Sequence, residues 1–131
     1  MKKFYLKDIA QKFEMKEYNL RFYDEKGLIK DFKRDENGYR YLLEDDLHVI
    51  DLIICLKQIG MPLKNIKKYM RLLDLGEKSA KERLNLILQQ EKVVLKNQES
   101  IQKQIEFIEH KKRYYSKILE NKKNHPDIES D

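Results

Sequence analysis

Apolar residues change their period several times along the chain, and each change marks an element. Leu6, Ile9, Ala10 and Phe13 recur at helical spacing, which predicts a first helix with Lys7, Asp8, Gln11 and Lys12 facing out. Ala10 is small enough to let a second helix cross closely. The turn Glu14-Met15 would bury Met15 and lead into a second helix from about Lys16 to Lys26, with Leu20 facing the core. Gly27 ends it, because glycine readily takes the left-handed conformation that closes helices. Two short runs then bracket Asn37-Gly38, the strongest local hairpin signal, so a two-stranded ribbon follows the helix pair.

Glu44, Asp45 and Asp46 open a third helix with negative charge where the helix dipole favours it. Its residues Leu47, Ile50, Leu52, Ile53, Ile54, Leu56 and Ile59 form the most apolar segment, and Gly60 ends it. Pro62 suits the first turn of a fourth helix burying Leu63, Ile66, Tyr69, Met70 and Leu73, and Gly76 closes that unit. From about Ser79 to Leu119 there is no Gly or Pro. Such a helix is ~60 Å long at ~1.5 Å per residue and cannot pack wholly against a small domain. Leu84, Ile87, Val94, Ile101, Ile105, Ile108, Tyr115 and Leu119 fall on one heptad seam, interrupted by Glu91, Gln98 and Lys112. That stripe calls for a partner helix. The expected division is 1–76 as a winged helix-turn-helix unit with linking helices, 79–119 as a dimerisation helix, and 120–131 as a polar tail that lacks order from Asn124 onward.

Composition agrees with a mainly α fold. The 131 residues are 40% hydrophobic and 39% charged, with 4 Gly and 2 Pro, which suits a small domain plus a long solvated helix. The net charge of +5 is compatible with nucleic acid without demanding it, because the placement of Lys and Arg matters more than their total. The helix-turn-helix and ribbon supply that placement. Lys16, Tyr18, Arg21, Phe22 and Tyr23 lie on the second helix, where a guanidinium fork and phenolic hydroxyls reach phosphates and base edges. The competing reading, that Tyr18, Phe22 and Tyr23 are simply core aromatics, is outweighed by their surroundings. Lys33, Arg34, Tyr39 and Arg40 lie on the ribbon, which serves as a wing against the DNA backbone or minor groove.

Catalytic chemistry has no visible seat. His48, His110 and His125 are scattered, no Gly-rich loop follows a strand, and Ser79, Ser100, Ser116 and Ser130 lack an evident base, so an enzyme is not expected. No stretch approaches the ~20 apolar residues of a membrane helix, and the basic N-terminus lacks the apolar run of a signal peptide. A cytoplasmic protein without cofactor is expected. Cys55 stands alone, which excludes an intramolecular disulfide or multi-cysteine metal cluster and leaves either a thiol sensor or an inert small hydrophobe.

Three segments, Leu20-Arg21-Phe22-Tyr23-Asp24-Glu25-Lys26-Gly27-Leu28, Glu36-Asn37-Gly38-Tyr39-Arg40-Tyr41 and Leu56-Lys57-Gln58-Ile59-Gly60-Met61-Pro62-Leu63, stand in the order and spacing of the MerR family of bacterial transcription regulators. The resemblance covers nearly the whole chain. It implies a homodimer joined by an antiparallel coiled coil, double-stranded promoter DNA with an overlong spacer as ligand, and RNA polymerase as the protein served by untwisting that DNA. It also implies that Arg21, Phe22 and Tyr23 read DNA, that Tyr39 and Arg40 belong to the wing, and that Lys57 contacts phosphate. A branch of the family responding to aldehydes, electrophiles or nitrosative stress is similar in having one cysteine at the place of Cys55. Departures from the family are Lys16 in place of a Ser or Thr cap, Leu43 in place of a polar cap, Asp31 in place of a proline, and Phe22 in place of tyrosine. An architectural or excisionase-like DNA-binding protein and a coiled-coil interaction module are the competing readings.

Overall fold

The computed structural model describes residues 2–124. The last helix continues through residues 120–123 of the polar tail to Asn124, and the part expected to lack order lies outside the described residues apart from the Asn124 backbone. The elements run β1 (Lys3–Tyr5), α1 (Leu6–Lys12), α2 (Glu17–Glu25), β2 (Lys33–Arg34), β3 (Arg40–Leu43), a 3-10 turn (Glu44–Asp46), α3 (His48–Gln58), α4 (Leu63–Leu73), a second 3-10 turn (Gly76–Ser79) and α5 (Ala80–Asn124). The first compact unit ends at Glu91 and the second begins at Lys92. The first therefore includes three turns of α5 and reaches beyond the boundary at Gly76 that the sequence suggested.

In the first unit Leu6, Ile9 and Ala10 of α1 join Leu20 and Tyr23 of α2 in one core. Leu28, Ile29, Leu42, Ile50, Ile53 and Ile66 complete its centre, with Met15 partly buried against it. The turn between α1 and α2 places Glu14 at φ 52, and Met15 N–H closes back on Ala10 O at 2.9 Å. Lys16 caps α2 without a side-chain hydrogen bond, and Gly27 leaves the helix at φ 73, with Leu28 N–H bonded to Tyr23 O. A left-handed conformation there favours glycine over any residue with a Cβ.

The sheet differs from the expected two-stranded ribbon. Its order is β1-β3-β2, with Lys3 opposite Leu43, Tyr5 opposite Tyr41, and Lys33 also opposite Tyr41. Residues 3–5 are too few to show a strand period, so only their pairing makes them one. The acidic run Glu44–Asp46 forms a 3-10 turn, and α3 starts at His48 instead of Glu44.

The corner from α4 into α5 is held by side chains. Buried Ser79 donates to the Leu72 carbonyl and accepts from Arg83 Nε at 3.0 Å, while Arg83 Nη2 donates to Gly76 O at 2.7 Å. Beyond it Leu86 is buried and Ile87 packs partly against the core. Ile87 therefore spends part of its apolar surface inside the first unit, a correction to its place on the dimer seam. In the second unit Val94, Ile101, Ile105, Ile108, Tyr115 and Leu119 are all exposed. Among the described residues, no helix is long and apolar enough to cross a membrane, and no group of three or more His, Cys, Asp or Glu is placed to hold a metal ion.

Candidate nucleic-acid interface

Helical phase decides which side chains of α2 face solvent. Leu20 and Tyr23, three residues apart, share the buried side, so Lys16, Tyr18, Arg21 and Phe22 fall on exposed ground. Tyr18 is 60% exposed. Lys16 Nζ stands 5.6 Å from the Tyr18 ring centre, and Lys26 Nζ stands 5.6 Å from that of Phe22. Such contacts lay the aliphatic stems along the rings and keep both ammonium groups beside the exposed aromatics.

Tyr23 corrects the expectation that it faces DNA. It is 3% exposed, belongs to the core, and meets Phe22 at a tilted 6.4 Å contact. Its link to the surface is Lys57, whose Nζ lies 5.3 Å from the ring centre. Lys57 is itself exposed on the last turn of α3, so the buried ring sets where that cation stands.

The wing is organised by Asp35. Its Oδ1 accepts the Asn37 and Tyr39 N–H groups, both at 2.9 Å, and its Oδ2 accepts the Tyr5 hydroxyl at 3.1 Å. The Tyr39 amide, with the Tyr5 hydroxyl and Asn37 amide adding to it, holds this carboxyl below the usual 3.8. The same Asp35 contact pushes the Tyr5 phenol above its usual 10.0. Arg34 Nη1 donates to Gly38 O at 2.8 Å, leaving Lys33 and the 65% exposed Tyr39 as the freer wing side chains.

Arg40 is also corrected in part. It is not a free wing charge, because its Nε lies 2.8 Å from Asp24 Oδ2 on α2. Between the wing and α2 lies a cleft of about 440 Å³ lined by Tyr5, Lys7, Glu17, Arg21, Arg34, Asp35, Tyr39 and Arg40. Four of these are cationic, and they converge from α1, α2, β2 and β3. The sequence offered a signal for Asp35, an acid two residues before Asn37 in a tight turn. It offered none for Asp24 or Tyr5, whose partners are distant in the chain. Cys55 is exposed on α3 and does not belong to the core.

Residues 4–73 match the family model described as MerR HTH family regulatory protein. An uncharacterised HTH-type transcriptional regulator of Haemophilus influenzae is 36% identical over 108 residues, which is 82% of this chain and 80% of that protein. Among solved structures, HiNmlR, described as a MerR family regulator lacking the sensor domain and bound to promoter DNA, is 34% identical with a TM-score of 0.74. That likeness covers 88% of this chain and 92% of the other. A MerR family regulator of Bacillus thuringiensis is 30% identical with a TM-score of 0.72, over 87% of this chain and all of its own. With a winged helix-turn-helix built from the residues that the family model spans, the chain belongs to the MerR family of transcriptional regulators.

Proposed function

We propose that the protein regulates transcription by binding promoter DNA as a homodimer, with α2 in the major groove and the wing on the adjacent backbone. The observation that carries this reading is the convergence of Arg21, Arg34 and Arg40 on one cleft beside the exposed Tyr18, Phe22 and Tyr39. Guanidinium forks suit phosphates and guanine edges, and the aromatics supply apolar contact to sugars and thymine methyls. Lys57, on the end of α3, adds a phosphate contact.

The exposed stripe from Val94 to Leu119 supports the second copy. Left in water it forgoes ~25 cal/mol for every Å² that a partner helix would cover. A dimer sets two recognition helices on one pseudo-palindromic site and can distort an overlong promoter spacer so that RNA polymerase engages both elements. Exposed Cys55 is the residue through which an electrophile or oxidant would act.

Selection of duplexes from a random-sequence pool, followed by footprinting on the upstream region of the chain's own gene, tests the reading. A protected pseudo-palindrome inside a promoter is expected. Uniform protection without sequence preference would favour an architectural role instead. Transcription from that site with wild type and Cys55→Ala, with and without formaldehyde, tests the thiol; equal responses remove it.

A further inference from the structure

An acid on a recognition helix repels the polyanion it approaches, so Asp24 needs a compensating role. It stands one residue before the end of α2, and its Oδ2 lies 2.8 Å from Arg40 Nε on β3, with side chains 26% and 18% exposed. That Nε is buried and makes no hydrogen bond, so the contact acts as a charge pair whose N–H points off the line. Arg40 lines the cleft shared with Arg21 and Arg34, whereas Asp24 does not. The guanidinium therefore has one nitrogen tied to α2 and two Nη groups beyond it.

We propose that Asp24 is a positioning residue for DNA binding: it pins the Nε side of Arg40 so that the Nη edge is presented to a phosphate at the cleft between wing and recognition helix. The inference rests on the DNA-binding reading of this face and deepens it. An arginine already held in one orientation loses less side-chain freedom on binding than a free one. The tie also fixes β3 against α2, so wing and helix meet the duplex in one register.

The probe is a duplex recovered by the wild-type full chain from a random-sequence pool. Its affinity is measured across a salt series for wild type, Asp24→Asn, Asp24→Glu, Arg40→Ala and the Asp24→Asn/Arg40→Ala double variant, with a melting curve for each. Asp24→Asn should weaken binding about three- to ten-fold although it removes a negative charge. Asp24→Glu should recover part of the loss. Arg40→Ala should lower the salt slope by about one, and adding Asp24→Asn to it should weaken binding no further. Asp24→Asn binding as tightly as wild type, or more tightly, would overturn the proposal by showing that the acid only repels. Equal weakening in both backgrounds would overturn it by showing that Asp24 does not act through Arg40. A wild-type chain that recovers no duplex at all would overturn the DNA-binding reading itself.

Discussion

Gln90, three turns into α5, donates its Nε2 proton to the main-chain carbonyl of Ile59 at 2.6 Å, joining the start of the long helix to the end of α3. Both the 5% exposure of Gln90 and the role of Ile59 as C-cap make this a buried answer to an otherwise orphaned helix-end carbonyl. Gln90→Leu removes the donor and should destabilise the first unit by about 1–3 kcal/mol in urea unfolding, while leaving the helical content intact.

Tyr23 and Arg21 are two residues apart and should fail in different ways. Tyr23→Ala opens the core and should lower stability by about 3–5 kcal/mol, with loss of binding following from loss of fold. Arg21→Ala, on the exposed face, should change stability by less than about 0.5 kcal/mol and still weaken binding to the selected duplex. Thermal melts beside binding curves separate the two.

The Tyr5–Asp35 pair gives the wing a dependence on pH at both ends. The Asp35 carboxyl titrates below its usual 3.8 in the fold, so its contribution is full above that value and is lost as pH falls through the lowered one. The Tyr5 phenol titrates above 10.0, so its contribution is full below that value and is lost as pH rises through the raised one. Asp35→Asn should flatten the acid limb of the stability profile, and Tyr5→Phe should remove one component of the alkaline limb. Unfolding followed from pH 2 to 12 checks both.

The proposed dimer depends on the exposed stripe of α5. Ile101→Glu or Ile105→Glu should give monomers at micromolar concentration in sedimentation, with helix-turn-helix folding retained and operator affinity reduced at least ten-fold. A monomeric wild type would refute the arrangement.

Legibility in the sequence followed the range of each signal. Gly27, Asn37-Gly38, Gly60 and Pro62 act on their immediate neighbours, and the turns stand where those residues predicted them. Tyr23 lies three residues from Leu20 and so shares its buried face, a placement that helical phase predicts and that its aromatic and basic neighbours obscure. Asp24 with Arg40, Tyr5 with Asp35 and Gln90 with Ile59 span 16, 30 and 31 residues. Nothing local distinguishes these residues from solvated surface. The acids Glu44–Asp46 predict the start of α3, but the backbone tightens there into a 3-10 turn and the helix begins only at His48.

Pairing β1 with β3 ties residues 3–5 to residues 41–43, so the backbone closes a ring around the two helices of the helix-turn-helix. Closing a loop of that length costs about 3 kcal/mol of chain entropy, recovered only when strand pairing and the core beneath Leu42 form together. Recognition helix and wing should consequently fold as one cooperative unit, without a stage at which the helices stand complete and the ribbon is still open. Hydrogen exchange would show this directly: the strand amides of Leu42 and its neighbours should open at the same free energy as those of α1 and α2.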